Sequence, residues 1–152
     1  MSWTVAELLP HDHPMILLDR LLDWSPEGQV TAQVTIGPET PFLDPGKGVP
    51  AHVGLEWMAQ CCGLYAGLKS KSQGGPIRMG FLLGTRRFKS SQAWFAEGDC
   101  LTVAVSLILL EEGMAVFDCR IRQADDTEVA SAQLTLYQPE DAGGVLSTSS
   151  MA

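Results

Sequence analysis

The chain has 152 residues, 45% of them hydrophobic, and a formal net charge of −8. A single domain with a real core is expected at this size, and the acidic balance argues against nucleic acid and anionic membrane as partners. The start, MSWTVAELLPHDHP, lacks the basic and apolar regions of a signal peptide, and the longest apolar stretch, LTVAVSLILL, is too short to span a bilayer, so a cytoplasmic location is expected.

In chain order, VAELL (residues 5–9) predicts a short helix stopped by Pro10. MILLDRLLDW predicts a strand, SPEG a turn, and QVTAQVTIG a second strand with alternating apolar residues, so the two form a hairpin. Residues 38–49, PETPFLDPGKGV, read as loop because of their prolines and glycines. A long helix is predicted from about Pro50 to near Lys69, with KSKSQGGP as its exit. IRMGFLLGTRRFKS, CLTVAVSLILLEEG, MAVFDCRIRQADD and TEVASAQLTLYQP then read as four strands of an antiparallel meander. Residues 1–139 are expected to form the domain, and residues 140–152, small and polar, a disordered tail.

The long helix is apolar on nearly every side, so a sheet must curve around it. The expected class is α+β: a curved antiparallel sheet wrapped around one central helix. Ala59, Gly63, Ala66 and Gly67 would let the sheet approach closely. Four cysteines, Cys61, Cys62, Cys100 and Cys119, form no C-x-x-C pair and read as free, buried and reduced. His11 and His13 lack further ligand segments, so no metal site is expected, and no cofactor motif is present.

Glu56 stands out in this apolar helix. Between Leu55 and Trp57 it reads as buried, an environment that favours the neutral, proton-donating carboxyl. The alternative is that it faces solvent. Gln60, one turn on, reads either as orienting the carboxylate or as a buried amide satisfied by backbone. His52, one turn earlier, shares the helical face of Glu56. It reads as a candidate base or as a side chain tied to Glu56 or a backbone carbonyl. Six of the ten basic residues, Lys69, Lys71, Arg78, Arg86, Arg87 and Lys89, fall in a window without Asp or Glu. They predict either a positive docking patch or a charged strand edge guarded against aggregation.

Four stretches, LPHDHPMILLDRLLD, DPGKGVP, GLEWMAQCCG and RFKSSQAWFAEGDCLTV, together resemble hotdog-fold dehydratases of the FabA/FabZ type, which act on 3-hydroxyacyl-carrier-protein thioesters. The closest likeness is to a divergent branch found beside a second dehydratase in aryl polyene pathways. The resemblance implies Glu56 as the helix acid and Gln60 as its neighbour, with Asp19 and Arg20 as a structural salt bridge or backbone clamp. It implies an acyl site lined by Phe42, Leu43, Ala51, Val53, Phe81 and Leu82. It also implies docking of an acyl carrier protein, with its phosphopantetheine-linked chain, on Arg86, Arg87 and Lys89. The family's loop His is missing: its position falls on Leu43 or Phe42, depending on the alignment, and neither can take a proton. His52 is the candidate replacement. The expected function is dehydration to trans-2-enoyl thioesters in fatty acid or polyene biosynthesis, by a homodimer or a heterodimer with a related hotdog protein. The alternatives are a non-catalytic or half-catalytic partner subunit and a hotdog thioesterase working with Glu56 and water.

Overall fold

A computed structural model describes residues 3–9, 16–75 and 81–137, and for Phe81 the backbone only. Helix α1, Val5–Leu8, forms where expected. Its reason is local: the Thr4 hydroxyl accepts from the Glu7 N–H at 3.2 Å, and the Thr4 N–H donates to Glu7 Oε1 at 2.8 Å, a reciprocal capping box. These hydrogen bonds hold the Glu7 carboxyl below the usual carboxylate range. Strands β1, Arg20–Ser25, and β2, Gln29–Thr35, pair as the expected hairpin through a turn in which Gly28 has φ +118°. β1 starts later than its apolar run suggests. The Leu17 N–H is given to the side chain of Gln60 at 2.9 Å. Asp19 Oδ2 accepts the Thr35 N–H at 2.6 Å. Asp19 is therefore a backbone clamp, whereas Arg20 Nε donates to Gln33 Oε1.

The remaining elements are β3, Val49–Pro50; α2, Val53–Ser72; β4, Phe81–Ser90; β5, Trp94–Phe95; β6, Cys100–Glu111; β7, Met114–Arg122; and β8, Glu128–Tyr137. The long helix begins at Val53 and not at Pro50, because Val49 and Pro50 pair with Phe95 and Trp94. Gly48, at φ +113°, makes this approach possible: a Cβ there would lie 2.2 Å from the Phe95 carbonyl oxygen. The helix also runs one turn past Lys69, to a Gly74 at φ +76°.

Six strands form one antiparallel sheet in the order β1-β2-β6-β7-β8-β4. Only β6, β7 and β8 form a meander. The free edge of β2 is taken by β6 along its whole length, from Gln29 opposite Ser106 to Thr35 opposite Cys100, which leaves β4 the far edge beside β8.

Alternate residues of the sheet, among them Val30, Ala32, Leu101, Val103, Ile121 and Leu134, are buried against Trp57, Met58, Leu64 and Leu68 of α2. Each large side chain so buried stabilises the fold by about 1.5–3 kcal/mol. The small helix residues serve a different neighbour from the one expected. A Cβ on Gly67 would lie 2.2 Å from the Leu8 carbonyl oxygen, and one on Gly63 would lie 3.1 Å from Leu9 Cδ2. They admit α1 and the residue after it, while Gly54, 2.9 Å from Ile121 Cδ1, admits the sheet. Gly67→Ala is expected to destabilise the chain by about 1–3 kcal/mol, the usual cost of overpacking, read as a lower midpoint in urea unfolding. An unchanged midpoint would mean that α1 does not dock on Gly67.

Candidate active site

The N-terminus of α2 is fixed from both sides. Val49 and Pro50 pair with β5, the Ala51 N–H donates to the Ala93 carbonyl at 2.9 Å, and the Trp57 and Phe95 rings lie 5.2 Å apart. Ala51 is half-buried and Val53 is buried. His52 is the N-cap residue, with no hydrogen bond from its side chain to the helix. The backbone N–H groups of His52 and Val53 make no hydrogen bond among the described residues, so they point two donors out of the first turn.

Glu56 follows one turn later on the same face. Burial within this chain, the expectation above, is not what the structure has: Glu56 and His52 are both exposed. The reason is geometric. The sheet and α1 cover the face bearing Val53, Trp57, Cys61, Leu64 and Leu68, while His52, Glu56, Ala59, Gly63 and Ala66 follow the less covered side. Among the described residues no hydrogen bond or ion pair joins His52 to Glu56. Gln60 is buried at 3% exposure, and its amide oxygen accepts the Leu17 N–H, so this oxygen serves a backbone group.

Ahead of the helix, the Leu43 N–H donates to the Thr40 carbonyl at 3.2 Å, closing a turn with Pro41 and Phe42 at its centre. Phe42 has φ +71°. Pro followed by a residue at positive φ is the type II pattern, whose third position normally takes Gly or Asn. Phe there costs about 1–2 kcal/mol, yet the residue is 62% exposed. Leu43 turns the other way and packs on the core. Of the other proposed lining residues, Leu82 is 46% exposed and the side chain of Phe81 lies outside the described residues. Leu83 is also exposed, so neither leucine fills this chain's core.

Arg86, Arg87 and Lys89 are exposed on β4, without ion pairs among the described residues. The register with β8 slips between Arg86 and Lys89, where Arg87 takes φ +57°. Because β4 is an outer strand, these charges also meet the edge-guarding role. Arg78, His11, His13 and the tail lie outside the described residues. Among the described residues no group of three or more His, Cys, Asp or Glu could hold a metal ion, and no helix is long and apolar enough to cross a membrane.

All four cysteines are free; Cys61, Cys62 and Cys119 are buried, but Cys100 is only half-buried. Cys62 and Cys119 touch at 3.9 Å between sulfurs. Burial pushes the Cys61 and Cys62 thiols far above their ordinary value, which removes them as nucleophiles.

Two features escaped the sequence reading. Lys47 stands over the Trp94 ring at 5.4 Å, beside the helix start. A groove of about 360 Å³ runs between residues 16–19 and 34–41, with Ile16, Leu17, Val34 and Pro41 among its walls. The only sequence signal for either is the proline-rich loop itself.

A single long helix laid on an antiparallel sheet, with an acid near its N-terminus, defines a hotdog-fold protein. The chain matches the model of the ApeP-like family, described as ApeP dehydratase, over residues 3–147, and it belongs to that family of dehydratases. It is 29% identical over 143 residues to the 3-hydroxyacyl-[acyl-carrier-protein] dehydratase FabZ of Ralstonia nicotianae, covering 90% of this chain and 85% of the relative. To the FabZ of Chlamydia pneumoniae it is 32% identical over 138 residues, covering 86% of this chain and 87% of that one. Among solved structures it resembles a chain of the dehydratase heterocomplex ApeI:P from Xenorhabdus doucetiae, with a TM-score of 0.86, 29% identity, and coverage of 93% of this chain and 95% of that one.

The burial of three thiols sets a labelling pattern. A thiol reagent such as 5,5′-dithiobis(2-nitrobenzoate) is expected to modify no more than Cys100 in the folded chain and all four cysteines after unfolding in guanidinium. Rapid native labelling of Cys61 or Cys62 would contradict the packing of α2 on the sheet.

Proposed function

We propose that the chain dehydrates 3-hydroxyacyl-carrier-protein thioesters to trans-2-enoyl thioesters in fatty acid or polyene biosynthesis, with Glu56 as the acid. A base takes the proton from C2, charge builds on the thioester oxygen, and the C3–O bond breaks as the departing hydroxyl receives a proton and leaves as water. The free N–H groups of His52 and Val53 are suited to meet the charge on that oxygen. Glu56 supplies the proton to the hydroxyl, and His52, with no partner among the described residues, is the candidate base. The observation that carries this reading is the clustering of Glu56, His52 and two unpaired backbone donors on the open side of one helix end, in a chain of a dehydratase family.

Water reaches Glu56 freely in the single chain, so a water-excluded site needs a cover that one chain does not give. We assign that cover to a second hotdog subunit, the same chain or a relative. The resemblance to a chain of a heterocomplex supports the relative. So does the Phe42–Leu43 position, which lacks a proton acceptor where the family's loop His would stand. On that arrangement the partner would bring the base and this chain half of the site. An acyl carrier protein fits the exposed Arg86, Arg87 and Lys89, which have no ion pair among the described residues, because carrier proteins are acidic while the rest of this chain is too.

Two experiments test this. Glu56→Gln is expected to lower water loss from a 3-hydroxyacyl-carrier-protein by about 10²-fold or more, followed by mass spectrometry of the acyl product with the chain alone and with its co-purifying subunit. Turnover equal to wild type in both settings would remove Glu56 as the acid. Arg86→Glu with Arg87→Glu is expected to raise KM for carrier-bound substrate about tenfold at low salt, with kcat little changed and the difference shrinking as salt is added. A KM insensitive to both changes would place carrier docking elsewhere.

A further inference from the structure

The pairing that holds the start of α2 is short. It joins Val49 to Phe95 and Pro50 to Trp94, and a proline has no N–H to give to the ladder. Two-stranded pairings are marginal in water on their own. The turn ahead of it is closed on itself. The Asp44 N–H donates to the Gly48 carbonyl at 2.8 Å, and the Lys47 and Gly48 N–H groups both donate to the Asp44 carbonyl at 2.9 Å. Lys47 reaches out of this tight turn, and its ammonium lies 5.4 Å from the centre of the Trp94 ring, on the strand partner of Pro50. Lys47 is exposed, Trp94 is half-buried, and no carboxylate pairs with Lys47 among the described residues. The cation and the ring form a clasp across the pairing where its ladder is thinnest.

We propose that Lys47 is a positioning residue for the dehydration: acting through Trp94, it fixes the direction of the His52 and Val53 N–H groups. This rests on the dehydratase reading above, in which those donors meet the charge on the thioester oxygen. No hydrogen bond holds either donor among the described residues, so their aim follows from what holds residues 48–51. Those holds are the close approach of Gly48 to Phe95, the two strand pairs, and the Ala51 N–H on the Ala93 carbonyl. All of them run through backbone, and the clasp adds a side chain. Donors stabilise developing charge when they are aimed at the place where it forms. A small loss of aim therefore lowers the rate without loosening the fold or the substrate. A basic side chain gains nothing from the helix here, whose N-terminal end is itself positive. Its attraction is to the face of the ring.

The test separates positioning from plain structural support. Water loss from a 3-hydroxyacyl-carrier-protein is measured on the full chain with its co-purifying subunit. Lys47→Met keeps the length and removes the charge. It is expected to lower kcat about two- to fivefold, the worth of an exposed cation–π contact in rate. KM is expected to stay unchanged and the thermal midpoint to fall by no more than about 4 °C. Lys47→Arg keeps a cation over the ring and is expected to restore kcat. Trp94→Leu is expected to lower kcat as Lys47→Met does, and the double variant no further than either alone. If Trp94→Leu does not fold, the two Lys47 variants decide alone. In ¹⁵N-labelled protein the His52 and Val53 amide signals are expected to shift in Lys47→Met and to return in Lys47→Arg. A lower midpoint with wild-type kcat would make the clasp structural and overturn the proposal. So would a raised KM with unchanged kcat, which would make Lys47 a substrate contact, or additive losses in the double variant. Wild-type protein without turnover would overturn the dehydratase reading and the rate effect with it, whereas unmoved amide signals would overturn the positioning itself.

Discussion

The structure depends on how the N-terminus of α2 is pinned. Gly48 passes so close to the Phe95 carbonyl that no side chain fits, Val49 and Pro50 pair with Trp94 and Phe95, and Trp57 lies against Phe95 one turn into the helix. These contacts fix the height and rotation of the helix on the sheet. Rotation decides everything that follows, because a helix has one face per angle. With Trp57, Cys61, Leu64 and Leu68 turned to the sheet, His52 and Glu56 must leave on the other side.

That rotation leaves the chain with a deficit. The helix carries apolar or small residues almost all round, yet Leu55, Ala59, Gly63 and Ala66 are only half-buried, and Phe42, Leu82 and Leu83 are exposed. The outer edge of β4 has no strand beside it among the described residues. Apolar surface of this extent, on a protein of only 152 residues, marks a surface that another molecule covers. The same cover would remove water from Glu56. On the proposed reading, packing and catalysis ask for the same event, the arrival of a second subunit.

Much of the fold was legible because its causes are local. VAELL before a proline announces a short helix, the alternation in QVTAQVT announces a half-buried strand, and the glycines of KSKSQGGP announce a helix end. What was not legible depends on distant partners. Pro50 is a good first helical residue, but Trp94 claims it for a strand pair. Four successive strands suggest a meander, but β6 finds the edge of β2 and sends β4 to the far side. Gly63 and Gly67 promise close packing without naming the neighbour, which is α1 and not the sheet.

The site followed the same division. The spacing of His52, Glu56 and Gln60 fixes their relative angles on a helix, and the structure keeps it. Which angle is covered is a tertiary fact, so apolar neighbours in sequence misled the burial expected for Glu56. Gln60, a quarter-turn from the open side, is the buried member and binds the backbone of Leu17. That link ties the segment before β1 to the helix bearing Glu56, and Leu17 is also a wall of the groove beside the Phe42 turn. A change in helix position at Gln60 would thus be felt in the groove as well as at the acid. Through Gln60 and Leu17, the helix bearing Glu56 and the segment before β1 therefore move as one unit, and the position of the carboxyl depends on a backbone contact 43 residues away in sequence.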